Sequence, residues 1–174
     1  WIEAIGAFPR VGDAVTVEFV DYGPQAADFF SNAVTRVIFD PLYAYDHLAR
    51  PMKLVPNTAA ALPEISPDGK TWTIRIKPGI YFTDDPAFKG GKRELVAEDY
   101  VFAWKRVLDP RVRSTELHMF DGRFVGSESV VAKARESGKL DYDAAIEGLQ
   151  AIDRYTLQLK LNFADTELLS NLAV

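Results

Sequence analysis

The residues best equipped for chemistry in this chain are carboxylates. Asp84 and Asp85 stand side by side, and Glu94, Glu98 and Asp99 follow after a short polar stretch. Such a group suits a hard cation or a general acid–base pair. The calcium-loop order D-x-[DN]-x-[DN]-G is absent, however, and Lys89, Lys92 and Arg93 interrupt the acids. His47 and His118 lie far apart in sequence, and neither has the H-E-x-x-H spacing of a zinc site. Both read as surface or packing histidines. None of the seven serines sits in a G-x-S-x-G elbow. With no cysteine in the chain, thiol nucleophiles, thiolate metal sites and disulfides are excluded. These residues imply no metal and no cofactor.

Gly69-Lys70-Thr71 has the look of the tail of a phosphate-binding loop, but the spacing rejects it. That motif needs a glycine where this chain has Glu64, and Pro67 lacks the N–H such a loop donates. A hairpin accounts for the same residues. Pro67-Asp68-Gly69 is a turn, because proline presets φ and glycine accepts positive φ. After it Trp72, Ile74 and Ile76 alternate with Thr71, Thr73, Arg75 and Lys77, the period of a strand with one wet face. Pro78-Gly79 ends that strand.

A chain of 174 residues is long enough for one core or two small lobes. Its net charge of −5 argues against broad binding to nucleic acid or anionic membranes. The segment from Thr71 to Arg113 carries nine Lys/Arg against six Asp/Glu, alternating as on a solvated face. No run of eighteen apolar residues is present, so no stretch reads as a membrane-spanning helix. Trp1 is followed by neither a basic nor an apolar leader segment.

The remaining elements follow from periodicity. Ala14 to Val20 alternates like a strand, and Phe30, Ala33, Val34, Val37 and Ile38 form a helical stripe within Gln25 to Ile38. Tyr43 and Tyr45 fall in an extended segment. Val96 to Leu108 reads as a helix with Val101, Trp104 and Leu108 on one face, acids at its start and bases at its end, stopped by Asp109-Pro110. Arg111 to Phe124 reads as loop with a short helical turn. Ser127 onward is a helix closing on Gly138, and Asp141 to Leu149 adds a further turn. Leu149 to Leu161 is a second hairpin, with Tyr155, Leu157, Leu159 and Leu161 on one face, and Asp165 onward starts a helix. Hairpins and helices interleave, so the fold class is mixed α+β rather than a regular βαβ series. Tyr81, Phe82 and Trp104 are expected in the core. Phe29, Phe30 and the loop 116–120 either pack in the core or line a cleft, since aromatic side chains supply area for small-molecule sites.

Three blocks carry more than their physics: "ALPEISPDGKTWTIRIKPGIYFTDD", "VAEDYVFAWKRVLDP" and "EGLQAIDRYTLQLKL". In this order, with "VTRVIFDPLYAYD" before them, they resemble the oligopeptide/dipeptide class of extracytoplasmic solute-binding proteins, family five, the receptors of ABC importers. The likeness runs from about Asp28 to the C-terminus. It implies part of the first lobe of a type II periplasmic-binding-protein-like fold. Residues 1–57 would belong to the lobe core, 58–161 to a small inserted subdomain, and 162–174 to the return toward the core. Family members have a second lobe, so the chain is expected to be a fragment of a longer receptor.

The resemblance also implies a role: binding a peptide or similar small solute by lobe closure, without catalysis, outside the cytoplasm in the periplasm or extracellular space. The implied partners are that solute and the membrane subunits of the importer. The ligand-contacting positions of the family match Asp28, Phe29 and Phe30 before the early helix. They also match Glu116, Leu117, His118, Met119 and Phe120 in the loop after "LDP". Two features depart from the family pattern, the first being that residues 1–20 do not match the usual opening. In the second, the loop Thr83 to Leu95 is longer than the usual short turn, and Val96 replaces a threonine cap, a loss of about 1 kcal/mol unless another group serves. Two rival readings have their own residues: a small hydrolase using the carboxylates from Asp84 to Asp99, and an interaction module docking through Phe29 and Phe30.

Overall fold

Two stretches of apolar alternation meet in one sheet. The computed structural model describes residues 39–46, 48–114 and 116–173. The strand read at 14–20 and the helix read at 25–38 lie outside these residues, as does His47.

Strands β1 (Tyr43–Asp46) and β2 (Lys53–Pro56) form a two-stranded antiparallel sheet. A second, four-stranded antiparallel sheet contains β3 (Glu64–Ile65), β4 (Thr71–Arg75), β5 (Leu149–Asp153) and β6 (Thr156–Lys160), in the order β3-β4-β6-β5. The turn at Pro67-Asp68-Gly69 forms as its residues dictate. Gly69 has φ +73° and donates its N–H to the Ser66 carbonyl at 2.9 Å. The two hairpins of the sequence join through β4 and β6, with Trp72 opposite Leu159 and Ile74 opposite Leu157. These four side chains, with Ile76 and Leu161, are buried on one face. Each such burial contributes about 1.5–3 kcal/mol.

Helix α1 (Ala97–Leu108) packs on β5 and β6 and brings Ala97, Val101 and Leu108 to the core. Valine cannot cap a helix. The Asp99 carboxylate instead accepts the Val96 N–H at 2.8 Å, satisfying the first turn from inside. The short helix α2 (Leu117–Phe120) follows, then α3 (Ser127–Ser137), which ends on Gly138 at φ +72° as a left-handed cap. The 141–148 stretch forms turns rather than another helical turn. Helix α4 (Leu168–Asn171) comes last, buries Leu168, and the Tyr43 N–H donates to the Leu172 carbonyl just after it at 3.3 Å.

Three backbone segments cross at Gly148. Its N–H donates to Val125 O at 2.8 Å, its carbonyl accepts from Lys160 N at 2.9 Å, and Val125 N donates to Lys160 O at 3.0 Å. A Cβ here would collide with Lys160 O and Val125 N, so only glycine fits. Nearby, Arg123 and Asp165 make a largely buried ion-pair contact, though their nearest atoms are not aligned as a hydrogen bond. Asn162 reinforces the junction by donating to Gly122 O at 2.9 Å.

Tyr81 and Phe82 are not core residues. They are 53% and 42% exposed. Gly79, at φ +80°, turns the chain out of the sheet before they are reached, and they pair instead with the 93–95 segment. Trp104 does pack against the core, as its helical position requires.

Candidate functional site

The loop after α1 begins at a buried carboxylate. Asp109 is 2% exposed and accepts the Arg111 backbone N–H at 3.0 Å, the Arg111 guanidinium at 2.8 Å and the Tyr142 hydroxyl at 3.0 Å. Burial pushes its pKa upward, but the three donors and the Arg111 charge outweigh that and hold it at about 2. Lys105, one turn earlier and 8% exposed, reaches the same place from the helix: its ammonium donates to the Tyr142 carbonyl at 2.8 Å. Tyr142 is therefore clamped at both its hydroxyl and its carbonyl. The direction in which the chain leaves α1 is fixed by this hub.

From there the chain reaches Glu116, whose N–H is met by the Ser114 hydroxyl at 3.2 Å, and passes into α2. Phe120 lies against Trp104 and Phe124, with ring centroids 6.2 and 5.9 Å apart, and Trp104 stacks on Phe124 at 6.4 Å and 14° between planes. Leu117 and Phe120 are thus the inward pair, packed against the core, while His118 is exposed and Glu116 and Met119 are half-buried. One turn of helix on an aromatic base leaves His118 exposed, with Glu116 and Met119 half-buried beside it.

The structure thus brings Glu116, Leu117, His118, Met119 and Phe120 together on α2 and its cap. Asp28, Phe29 and Phe30 lie outside the described residues. Sequence reasoning took Asp109 only as a helix stop and Lys105 only as a partner of the helix dipole. Their shared role was signalled by nothing more than Arg111 two residues after Asp109, since Tyr142 comes from a distant segment.

The acids from Asp84 to Asp99 do not converge. Asp85 accepts the Ala87 N–H at 2.8 Å and starts a 3-10 turn at Pro86–Phe88. Glu94 accepts from Gly79 N at 2.7 Å, Arg154 at 2.8 Å and the Tyr155 hydroxyl at 3.0 Å, and Asp99 pairs with Arg93. Among the described residues no group of three or more His, Asp or Glu is placed to hold a metal ion. No described helix is long and apolar enough to cross a membrane.

Residues 53–174 match the model of the bacterial extracellular solute-binding proteins, family 5 Middle. The chain belongs to this family. It is similar to di/tripeptide-binding protein 1 of Pseudomonas aeruginosa, 25% identical over 148 residues that cover 82% of this chain and 24% of that protein. It is also similar to the oligopeptide-binding protein OppA of Bacillus subtilis, 29% identical over 141 residues, 79% of this chain and 22% of that one. Among solved structures, Listeria monocytogenes OppA bound to peptide matches with a TM-score of 0.64 and 25% identity, covering 86% of this chain and 26% of that chain. The chain therefore spans about a quarter of the length of the relatives it matches. The family and the fold expected from the sequence blocks are both found.

Proposed function

We propose that this chain supplies one wall of the ligand cleft of a peptide-binding receptor in an ABC import system, acting in the periplasm or extracellular space. The observation that carries this reading is the α2 turn. Exposed His118, with half-buried Glu116 and Met119 beside it, stands on a base of Trp104, Phe120 and Phe124 that follows the buried Asp109 hub, in a chain whose relatives are a di/tripeptide-binding and an oligopeptide-binding protein. Asp28, Phe29 and Phe30 would complete that wall. Residues 58–161 would act as an inserted subdomain, with 1–57 and 162–174 as lobe core. The cleft works by closure: ligand favours the closed state because only that state surrounds it. Extended peptide backbone would supply much of the affinity, leaving side-chain choice broad. No bond is made or broken, and the importer's membrane subunits receive the ligand.

One wall cannot desolvate a ligand, so the chain alone should bind peptide weakly or not at all. In calorimetry with di-, tri- and pentapeptides, the full-length protein should bind and Met119→Ala with His118→Ala should weaken it about tenfold or more. Micromolar or tighter binding by the isolated chain, or full-length binding untouched by both changes, overturns the reading.

A further inference from the structure

The α2 turn is tethered at both ends, and the two tethers differ. After it, Asp121 pairs with Arg135 of α3 at 2.8 Å, the Gly122 carbonyl accepts from the Asn162 side chain at 2.9 Å, and Arg123 meets Asp165. Before it, among the described residues, the backbone bonds of 110–114 are local. Val112 N donates to the Asp109 carbonyl at 3.0 Å, and the Ser114 carbonyl accepts from Leu117 N at 3.4 Å. Arg113 stands in this stretch at φ +52°, a left-handed conformation that an arginine holds only where its surroundings impose it.

What imposes it is the Asp109 carboxylate. Arg111 closes on that carboxylate from two residues along the chain, with both its backbone N–H and its guanidinium, and so sets the first turn of the loop. The Tyr142 hydroxyl, at 3.0 Å, is the donor that comes from elsewhere, from beyond α3. Tyr142 is itself gripped by α1: Lys105 Nζ donates to its carbonyl at 2.8 Å, and the Phe102 ring centroid lies 5.2 Å from that of Tyr142. Removing the hydroxyl leaves those grips, and Arg111 still neutralises Asp109. What is lost is the direction of the carboxylate, and with it the single arrangement of 110–114. Where only a fraction of molecules holds the binding arrangement, apparent affinity falls by that fraction.

We propose that Tyr142 is a positioning residue for ligand binding: its hydroxyl, on Asp109, sets where the α2 turn stands. It acts through Asp109 and Arg111 rather than on the ligand, and the role rests on the reading of residues 116–120 as a ligand wall. The test compares two tyrosines of like chemistry in the full-length protein. Tyr142 donates to Asp109 at 3.0 Å and Tyr155 to Glu94 at 3.0 Å, each carboxylate being held by an arginine as well. Tyr155 belongs to the 80–95 arm, whose two legs pair through Phe82 N to Arg93 O at 2.9 Å and Leu95 N to Ile80 O at 2.8 Å, and not to the wall. Calorimetry gives the affinity for the tightest-binding of the di-, tri- and pentapeptides. Amide exchange is followed at Met119 and Asp121, whose N–H groups donate to Glu116 O and Leu117 O within the turn. Tyr142→Phe should weaken binding about threefold to tenfold and quicken exchange at both amides, while Tyr155→Phe leaves both as in wild type. Arg111→Gln changes an exposed side chain and opens the same clamp. It should quicken the same two amides and weaken binding likewise, and it stands in where Tyr142→Phe does not fold. A lower unfolding midpoint with unchanged affinity and exchange makes Tyr142 structural only and overturns the proposal, as does equal weakening by Tyr142→Phe and Tyr155→Phe. The cleft reading fails separately, when no peptide binds or when His118→Ala with Met119→Ala leaves binding untouched, and the proposal falls with it. If those alanine changes weaken binding and Tyr142→Phe does not, the positioning role alone is overturned.

Discussion

The β4–β6 pair and the 80–95 arm are joined by only a few residues, yet they are held by different physics. In the sheet, Ile74 faces Leu157 and Trp72 faces Leu159, and what matters is apolar area and shape. In the arm, Tyr81 and Phe82 stay wet, and order comes from a capped turn, ring–cation contacts and the clasp of Glu94 by Gly79, Arg154 and Tyr155. The first kind of region is stable because water is excluded. The second is shaped at the surface by polar and ring–cation contacts, each of which contributes little to stability.

Three changes break or sharpen that contrast. Leu157→Ala removes a side chain with no exposure from the centre of the sheet and should cost about 2–5 kcal/mol in urea unfolding. A cost under 1 kcal/mol would mean that the sheet is not the stabilising region. Asp109→Asn should cost about 2 kcal/mol near neutral pH, as its depressed pKa implies. The sign follows from linkage. A carboxylate with a folded pKa near 2 and an ordinary unfolded value stabilises fully above about pH 4, and that contribution is lost as pH falls through 2. Stability of the wild type should therefore drop across that window, and the asparagine variant should lack this part of the drop. Glu94→Gln should have the smallest global effect. Amide exchange at Phe82 and Leu95 should quicken while the unfolding midpoint stays put. A shifted midpoint would show that the arm is part of the cooperative core after all.

The same contrast decides what was legible in the sequence. Trp72, Ile74, Leu157 and Leu159 announce themselves by period two, and α1 by its stripe of Val101, Trp104 and Leu108, because burial of one face leaves a periodic mark. The joining of β4 to β6 leaves none: it depends on long-range register, which no local window contains. Hydrophobicity alone places Tyr81 and Phe82 in the core, whereas Gly79 redirects the chain before they are reached. The 116–120 turn stands out in the sequence only through the resemblance to a family. That Leu117 and Phe120 pack against the core while His118 is exposed depends on the rings of Trp104 and Phe124, which no local window contains. The Asp109 hub was invisible for a similar reason, since Tyr142 reaches it from beyond α3.

The contact between Tyr43 and Leu172 also bears on how force passes through the molecule. Its donor lies in the first strand and its acceptor just after the last helix, so the chain between them leaves and rejoins at one spot. A load applied at Tyr43 and Leu172 therefore enters and leaves at one root, where the Leu42 carbonyl also accepts from Asn57 N at 2.9 Å and Ala59 N at 3.1 Å, and the sheet, the aromatic base and the arm sit on the loop of chain beyond it.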